Sequence, residues 1–195
     1  MALTVENLTK WIDSFAQTIG KKKEHLSELD TPIGDGDHGN NMARGAKAVT
    51  ESLDSKKPAE LTDEFKQIAM ALISKVGGAS GPLYGTAFLE MAKKSKETSD
   101  LGELFAVAAA GIKKRGGAKV GDKTMVDVWD PLSKKVGAGS LSQDDIDSAV
   151  ESTKDLVAKK GRASYLGERS KGHLDPGAVS SGYLFTALIE TEGIL

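Results

Sequence analysis

The residues best equipped for chemistry in this 195-residue chain lie between Asp30 and Met42, in the run DTPIGDGDHGNNM. Asp30, Asp35 and Asp37 place three carboxylates within eight residues, separated by one proline and two glycines. Like charges held that close repel, and one takes up a proton unless a cation neutralises them. A hard, partly hydrated cation suits such an all-oxygen set, and magnesium also ligates phosphates. Calcium is the obvious rival, because Asp35-x-Asp37 matches the start of a calcium loop. That loop needs glycine at its sixth position and glutamate at its twelfth. Here those positions are Asn40 and Ala46, so the calcium reading fails. The plainer alternative is a solvated turn in which Asp35 or Asp37 caps the next helix.

Three further stretches carry unusual glycine. Val76 to Gly85, VGGASGPLYG, puts glycines before a helix start. Free backbone N–H groups beside the positive end of a helix suit an anion, and Ser80 adds a hydroxyl; a plain helix–helix connection is the even alternative. Gly116 to Gly121 has the glycine spacing of a P-loop, but Asp122 intervenes before Lys123-Thr124 and no strand precedes it, so a P-loop is excluded. What remains is a loop entering a helix, with Met125 able to pack on a flat ring; on the residues alone, Met125 facing the core is favoured. Gly161 to Ala178 is long, has little apolar period, and carries Arg162 and Arg169, suited to phosphate. Asp175-Pro176 within it reads equally as a helix cap. Of the three histidines only His38 lies among the carboxylates, where nucleotide contact is preferred to a phosphohistidine role.

The elements that must position these loops are helices. Val5, Leu8, Ile12, Phe15 and Ile19 recur at three and four residues, as do Leu61, Phe65, Ile68 and Leu72, and Leu101, Leu104, Phe105, Ala108 and Ile112. Ile146, Val150, Thr153 and Val157 make a weaker set, and Val179 to Ile189 closes the chain. No β-branched alternation of period two is present. Thr62-Asp63-Glu64, Ser99-Asp100 and Ser142 with Asp145 are start signals, and Pro82 and Pro176 fit first turns. The reading is an all-α chain of about eight helices forming one domain over residues 1–195. In an up-and-down arrangement alternate loops share one end, so the four special loops would make one site.

Composition narrows the class. A net charge of -2 gives no basic excess for nucleic acid. The absence of cysteine excludes disulfides, thiolate metal sites and cysteine nucleophiles. The N-terminus lacks the pattern of a signal peptide, and Leu104 to Ile112, the longest nearly apolar run, is far below the roughly 20 residues that span a bilayer. A soluble, cytoplasmic protein with no membrane partner is expected.

Together, IGDGDHGNNMARG (33–45), GGASGPLYGTAF (77–88), GDKTMVDVWDP (121–131) and GRASYLGERSKGHLDPGAVS (161–180) closely resemble the ADP-binding subunit, subunit L, of bacterial dihydroxyacetone kinases. The same domain forms the C-terminal half of ATP-dependent dihydroxyacetone kinases. The resemblance implies an eight-helix antiparallel up-and-down barrel with ADP or ATP at one rim. It implies that Asp30, Asp35 and Asp37 ligate two magnesium ions, with His38, Gly39, Asn40 and Asn41 beside the nucleotide. Ala79 and Ser80 would hold phosphate, and Gly116, Met125, Arg162, Asp175, Pro176 and Gly177 would complete the pocket. Asn40 is the variable position of its motif. The implied partners are subunit K, which binds dihydroxyacetone covalently through a histidine, and subunit M, whose phosphohistidine rephosphorylates resident ADP. A homodimer stays open. Exchangeable ATP with a separate acceptor protein, or a nucleotide-dependent regulator, are the alternatives.

Overall fold

In the computed structural model, which describes residues 3–195, helix α1 (Val5–Asp30) begins at Thr4. The Thr4 hydroxyl accepts the Asn7 N–H at 3.2 Å, and the Asn7 side chain accepts the Thr4 N–H at 2.7 Å. This reciprocal cap satisfies two donors that the first turn leaves free. The apolar period visible as far as Ile19 understates the helix, which spans 26 residues in all. The lysine-rich segment that follows consists of good helix formers, and Leu26 beyond it is fully buried. Asp30 thus sits at the end of a long, packed helix instead of in a free loop.

The remaining helices are α2 (His38–Ser55), α3 (Leu61–Lys75), α4 (Ser80–Lys94), α5 (Leu101–Gly116), α6 (Val126–Gly137), α7 (Gln143–Glu151) and α8 (Pro176–Glu190). A 3-10 segment, Arg162–Ser170, lies between α7 and α8 and is kinked at Gly167. Every regular element among the described residues is helical, as the periodicity requires. Ser142 and Asp145 form the expected capping box, Asp100 caps α5, and Pro176 occupies the first position of α8. Two expectations shift. The cap position of α3 is Glu60, with no side-chain cap bond, so Thr62 lies inside the first turn. Helix α7 ends at Glu151 and leaves Thr153 and Val157 beyond it. Thr153 is nonetheless fully buried, because its hydroxyl accepts the Asp175 N–H at 3.1 Å.

Each helix packs on its neighbours in the chain, and α8 returns to pack on α1, so the eight α-helices form a closed ring. Aromatics make up only 5% of the sequence, and they concentrate in the core. Phe105 lies 5.6 Å from Trp11, 5.9 Å from Trp129 and 5.2 Å from Phe185 between ring centroids. Phe65 and Phe88 extend this cluster, and Tyr84 joins it at Trp129. Each buried ring contributes about 2–3 kcal/mol from area alone, plus about 1 kcal/mol per favourable ring pair. A ring filled this densely is a rigid frame for the connections at its ends. Among the described residues no helix is long and apolar enough to cross a membrane.

Candidate functional site

The α1–α2, α3–α4, α5–α6 and α7–α8 connections all line one cavity of about 570 Å³. Alternate connections therefore share an end, as an up-and-down ring demands. The volume falls in the range of small-molecule sites.

Asp30, at the end of α1, anchors the acidic side. Its Oδ2 accepts the N–H of Asp37 at 3.0 Å and of His38 at 3.2 Å, folding the loop back over the helix end. The fold-back depends on Gly34, since a Cβ there would stand 2.0 Å from Asp30 Oδ1. The three aspartates each bring an oxygen within 4.8 Å of the others. Burial holds the Asp30 carboxyl above its ordinary range, against the two N–H groups that lower it, and the charges of Asp35 and Asp37 raise it further. Asp37 occupies the cap position of α2 but makes no side-chain cap bond. Capping is therefore not the role of its carboxylate, which stays exposed at the cavity.

Opposite charge arrives from backbone. Helices α2, α4 and α6 all begin at this cavity, at Asp37, Ala79 and Met125, whose own side chains make no cap bond. The Asp30 carboxylate accepts the first N–H of α2, and the Thr124 hydroxyl accepts that of α6 at 3.1 Å. Each start presents the positive end of its helix dipole, and at α4 no side chain takes up the first N–H groups. In α4 the third position is Pro82, which has no N–H, so the free donors of that turn belong to Ser80 and Gly81. An anion with several oxygens between the aspartates and these helix starts is the ligand this charge pattern favours.

Beside them, His38 is buried, with Nε2 3.0 Å from Ser180 Oγ and Nδ1 3.3 Å from Ser80 Oγ. Burial pushes its imidazole down to about 4, so it is neutral at pH 7. Both ring nitrogens face hydroxyls, an arrangement that leaves neither open as a phosphoryl acceptor.

The α5–α6 connection is held from beneath by charges. Asp127 Oδ2 accepts the Thr124 N–H at 2.7 Å, and its Oδ1 accepts from Gly121. Lys123, 1% exposed and with φ +59°, sends its ammonium to the carbonyls of Thr153, Lys154 and His173. It thereby ties this connection to the α7–α8 segment and fixes Met125, which is buried yet lines the cavity. Asp175 caps α8 through the Ala178 N–H at 2.8 Å, and burial pushes its carboxyl up to about 7 against that bond and the Lys123 charge. From the 3-10 segment Arg162 reaches Asp35, with Nη2 2.8 Å from Oδ2.

Asp30, Asp35, Asp37, His38, Asn41, Ala79, Ser80, Gly116, Met125, Arg162, Asp175, Pro176 and Gly177 all line the cavity. Gly39 and Asn40 do not. Gly39 packs α2 on α1, where a Cβ would strike the Lys23 carbonyl at 1.7 Å, and Asn40 is exposed. Sequence reasoning missed Lys123, Tyr84 and Ser180. The available signals were a lysine shortly before a buried aspartate and two serines inside an otherwise apolar helix.

Comparison with known proteins gives the family and agrees with the fold. The DAK2 domain model matches residues 32–190. The chain is 52% identical over 187 residues to the PEP-dependent dihydroxyacetone kinase 1 ADP-binding subunit DhaL of Listeria innocua, covering 94% of each. It is 50% identical over 188 residues to the PTS-dependent dihydroxyacetone kinase ADP-binding subunit DhaL of Lactococcus lactis, covering 96% of this chain and 98% of that one. Among solved structures, the dihydroxyacetone kinase from C. freundii in complex with AMP-PNP and Mg2+ superposes with a TM-score of 0.79 at 26% identity, over 98% of this chain and 35% of that kinase. This chain spans about a third of that longer enzyme. By the extent of the matched domain and its identity to full-length relatives, the chain belongs to the DAK2 domain family, with the DhaL subunits of dihydroxyacetone kinases.

Proposed function

We propose that this chain is the nucleotide-binding subunit of a phosphotransferase-dependent dihydroxyacetone kinase. Its ADP would be phosphorylated by a phosphohistidine subunit M and pass the phosphoryl group to dihydroxyacetone on a subunit K. The observation that carries the reading is the three-aspartate cluster sharing one cavity with three helix starts, of which that of α4 keeps its first N–H groups free of side-chain caps. Relatives named as PEP- or PTS-dependent subunits are 52% and 50% identical, against 26% for the kinase solved with AMP-PNP, which favours the phosphohistidine donor over free ATP.

Asp30, Asp35 and Asp37 fit magnesium, being hard oxygen donors already convergent, and we assign them two ions. Magnesium, when bound, neutralises phosphate charge and orients its oxygens. The protein's own contribution is positioning and electrostatics. Ala79 and Ser80, the latter through its N–H and hydroxyl, would hold phosphate, with His38, Asn41, Gly116, Met125, Arg162 and the Asp175–Gly177 turn around the rest of the nucleotide. Gly39 would act from behind, by packing the start of α2 on α1, and Asn40 would meet the nucleotide from the exposed side of that turn. No side chain of the cavity is needed as a nucleophile, which agrees with the enclosed His38 ring.

Reconstitution with the two partner subunits tests this reading. With phosphohistidine as donor and the acceptor subunit loaded, substoichiometric ADP should sustain many rounds of dihydroxyacetone phosphate formation. Turnover that instead consumes free ATP stoichiometrically, without a phosphohistidine protein, would show a conventional kinase domain.

A further inference from the structure

A file of polar side chains runs from the aromatic core to the rim. Trp129 Nε1–H donates to Ser181 Oγ at 3.0 Å, and Ser181 Oγ lies 2.7 Å from the Gly177 carbonyl. Tyr84 Oη stands 2.8 Å from Ser180 Oγ and 3.0 Å from Ser181 Oγ. Ser180 Oγ meets His38 Nε2 at 3.0 Å, and His38 Nδ1 meets Ser80 Oγ at 3.3 Å. Ser180, Ser181 and Tyr84 are fully buried, and Ser80 lines the cavity.

Hydrogen-bond chains have a direction, because each hydroxyl has one proton to give. The indole N–H can only donate, so Ser181 accepts from Trp129. Its proton goes to the Gly177 carbonyl at 2.7 Å, which Ser180 reaches only at 3.2 Å. Tyr84 then gives its proton to Ser180 across the shorter of its two contacts. Ser180 in turn donates to His38 Nε2. The histidine proton is thereby placed on Nδ1, donating to Ser80 Oγ. Ser80 is left with its own O–H free to point into the cavity. The opposite polarity would turn the Ser80 proton inward to His38 and leave an oxygen lone pair facing an anion.

We propose that Ser180, set by Tyr84, is a positioning residue for phosphate binding: through the His38 tautomer it turns the Ser80 hydroxyl into a donor aimed at the nucleotide phosphate. This rests on the nucleotide-binding reading above. It goes beyond that reading by extending the binding machinery to two buried side chains that touch no ligand. A polarised chain of this kind strengthens its terminal donor, since each bond polarises the next.

The test uses the full-length chain with ADP and magnesium. Nitrogen-15 NMR of the imidazole rings should place the His38 proton on Nδ1 in the loaded wild-type protein. Calorimetry should show Ser180→Ala and Ser80→Ala each weakening ADP about 5- to 10-fold, and the double variant no weaker than Ser80→Ala alone, as residues of one chain must behave. Ser180→Thr, which keeps the hydroxyl, should restore affinity, and Tyr84→Phe should weaken it in the same direction by a smaller factor. A His38 proton on Nε2, or independent multiplying losses in the double variant, would overturn the chain while leaving nucleotide binding intact. Absence of any ADP binding by the wild-type protein would instead remove the functional reading beneath it. The wild-type tautomer decides the matter even where Ser180→Ala does not fold.

Discussion

Arg162 and Asp35 face each other across the rim, Nη2 2.8 Å from Oδ2, although 127 positions of chain separate them. The pair joins the first glycine-rich connection to the last. Its arginine is largely exposed, and an exposed ion pair contributes about 0–1 kcal/mol to stability. Arg162→Ala should therefore leave the melting temperature within about 2 °C of wild type, by the usual size scaling. It should weaken ADP in magnesium about 10-fold, the equivalent of roughly 1.4 kcal/mol. Differential scanning calorimetry and titration calorimetry on one preparation check both halves. A large stability loss with unchanged affinity would make the arginine a structural strut.

Lys123 has the opposite character. Its buried ammonium reaches three carbonyls on the α7–α8 side. Those of Thr153 and Lys154 also accept from Leu156 and Gly172, so Lys123→Ala leaves the His173 carbonyl unpartnered and removes a fully buried side chain. The expected cost is about 2–4 kcal/mol, or a melting point lower by roughly 5–12 °C. Thermal unfolding followed by circular dichroism measures it directly.

Glu64 makes stability depend on pH. It is fully buried on α3, accepts the Thr9 hydroxyl at 2.6 Å through Oε1, and leaves Oε2 without a partner. Burial pushes its carboxyl up to about 7, against the Thr9 bond that lowers it, with the Asp13 charge raising it further. The folded protein thus holds this proton more tightly than the unfolded chain does. The stabilising effect is fully present below the unfolded value near 4.5 and is lost as pH rises through about 7. Glu64→Gln removes the penalty, on the order of 2 kcal/mol. It should melt roughly 4–8 °C above wild type at pH 8, the gap closing near pH 4. Parallel melting curves across that range decide it, and a constant gap would place the effect in packing.

Much of this was legible in the chain and some was not. The helical periods at Leu8–Ile19 and Leu101–Ile112 announced their buried faces, because alternation at 3.6 residues is imposed by geometry and leaves its mark locally. The convergence of four connections also followed, since an up-and-down ring must put alternate loops at one end. Helix α1 ran eleven residues past its last visible apolar repeat, because Lys21 to Glu24 build helix by propensity without needing a buried face. Ser180 gave no local sign of reaching His38, nor Tyr84 of reaching Ser180. Their contacts span 142 and 96 residues, and only closure of α8 onto α1 brings those positions together. Lys123 follows a spacing that fails as a P-loop, and its importance lies in the carbonyls it holds and not in phosphate.

We propose that the aspartate cluster holds nucleotide through magnesium. Native mass spectrometry of the chain incubated with ADP and magnesium, wild type beside an Asp35→Asn, Asp37→Asn variant, tests it most directly. Wild type should carry one ADP with two magnesium ions per chain, and the variant, equally folded by circular dichroism, should carry neither. Equal nucleotide occupancy in both proteins, or ADP retained by wild type after magnesium is removed with a chelator, would contradict the account.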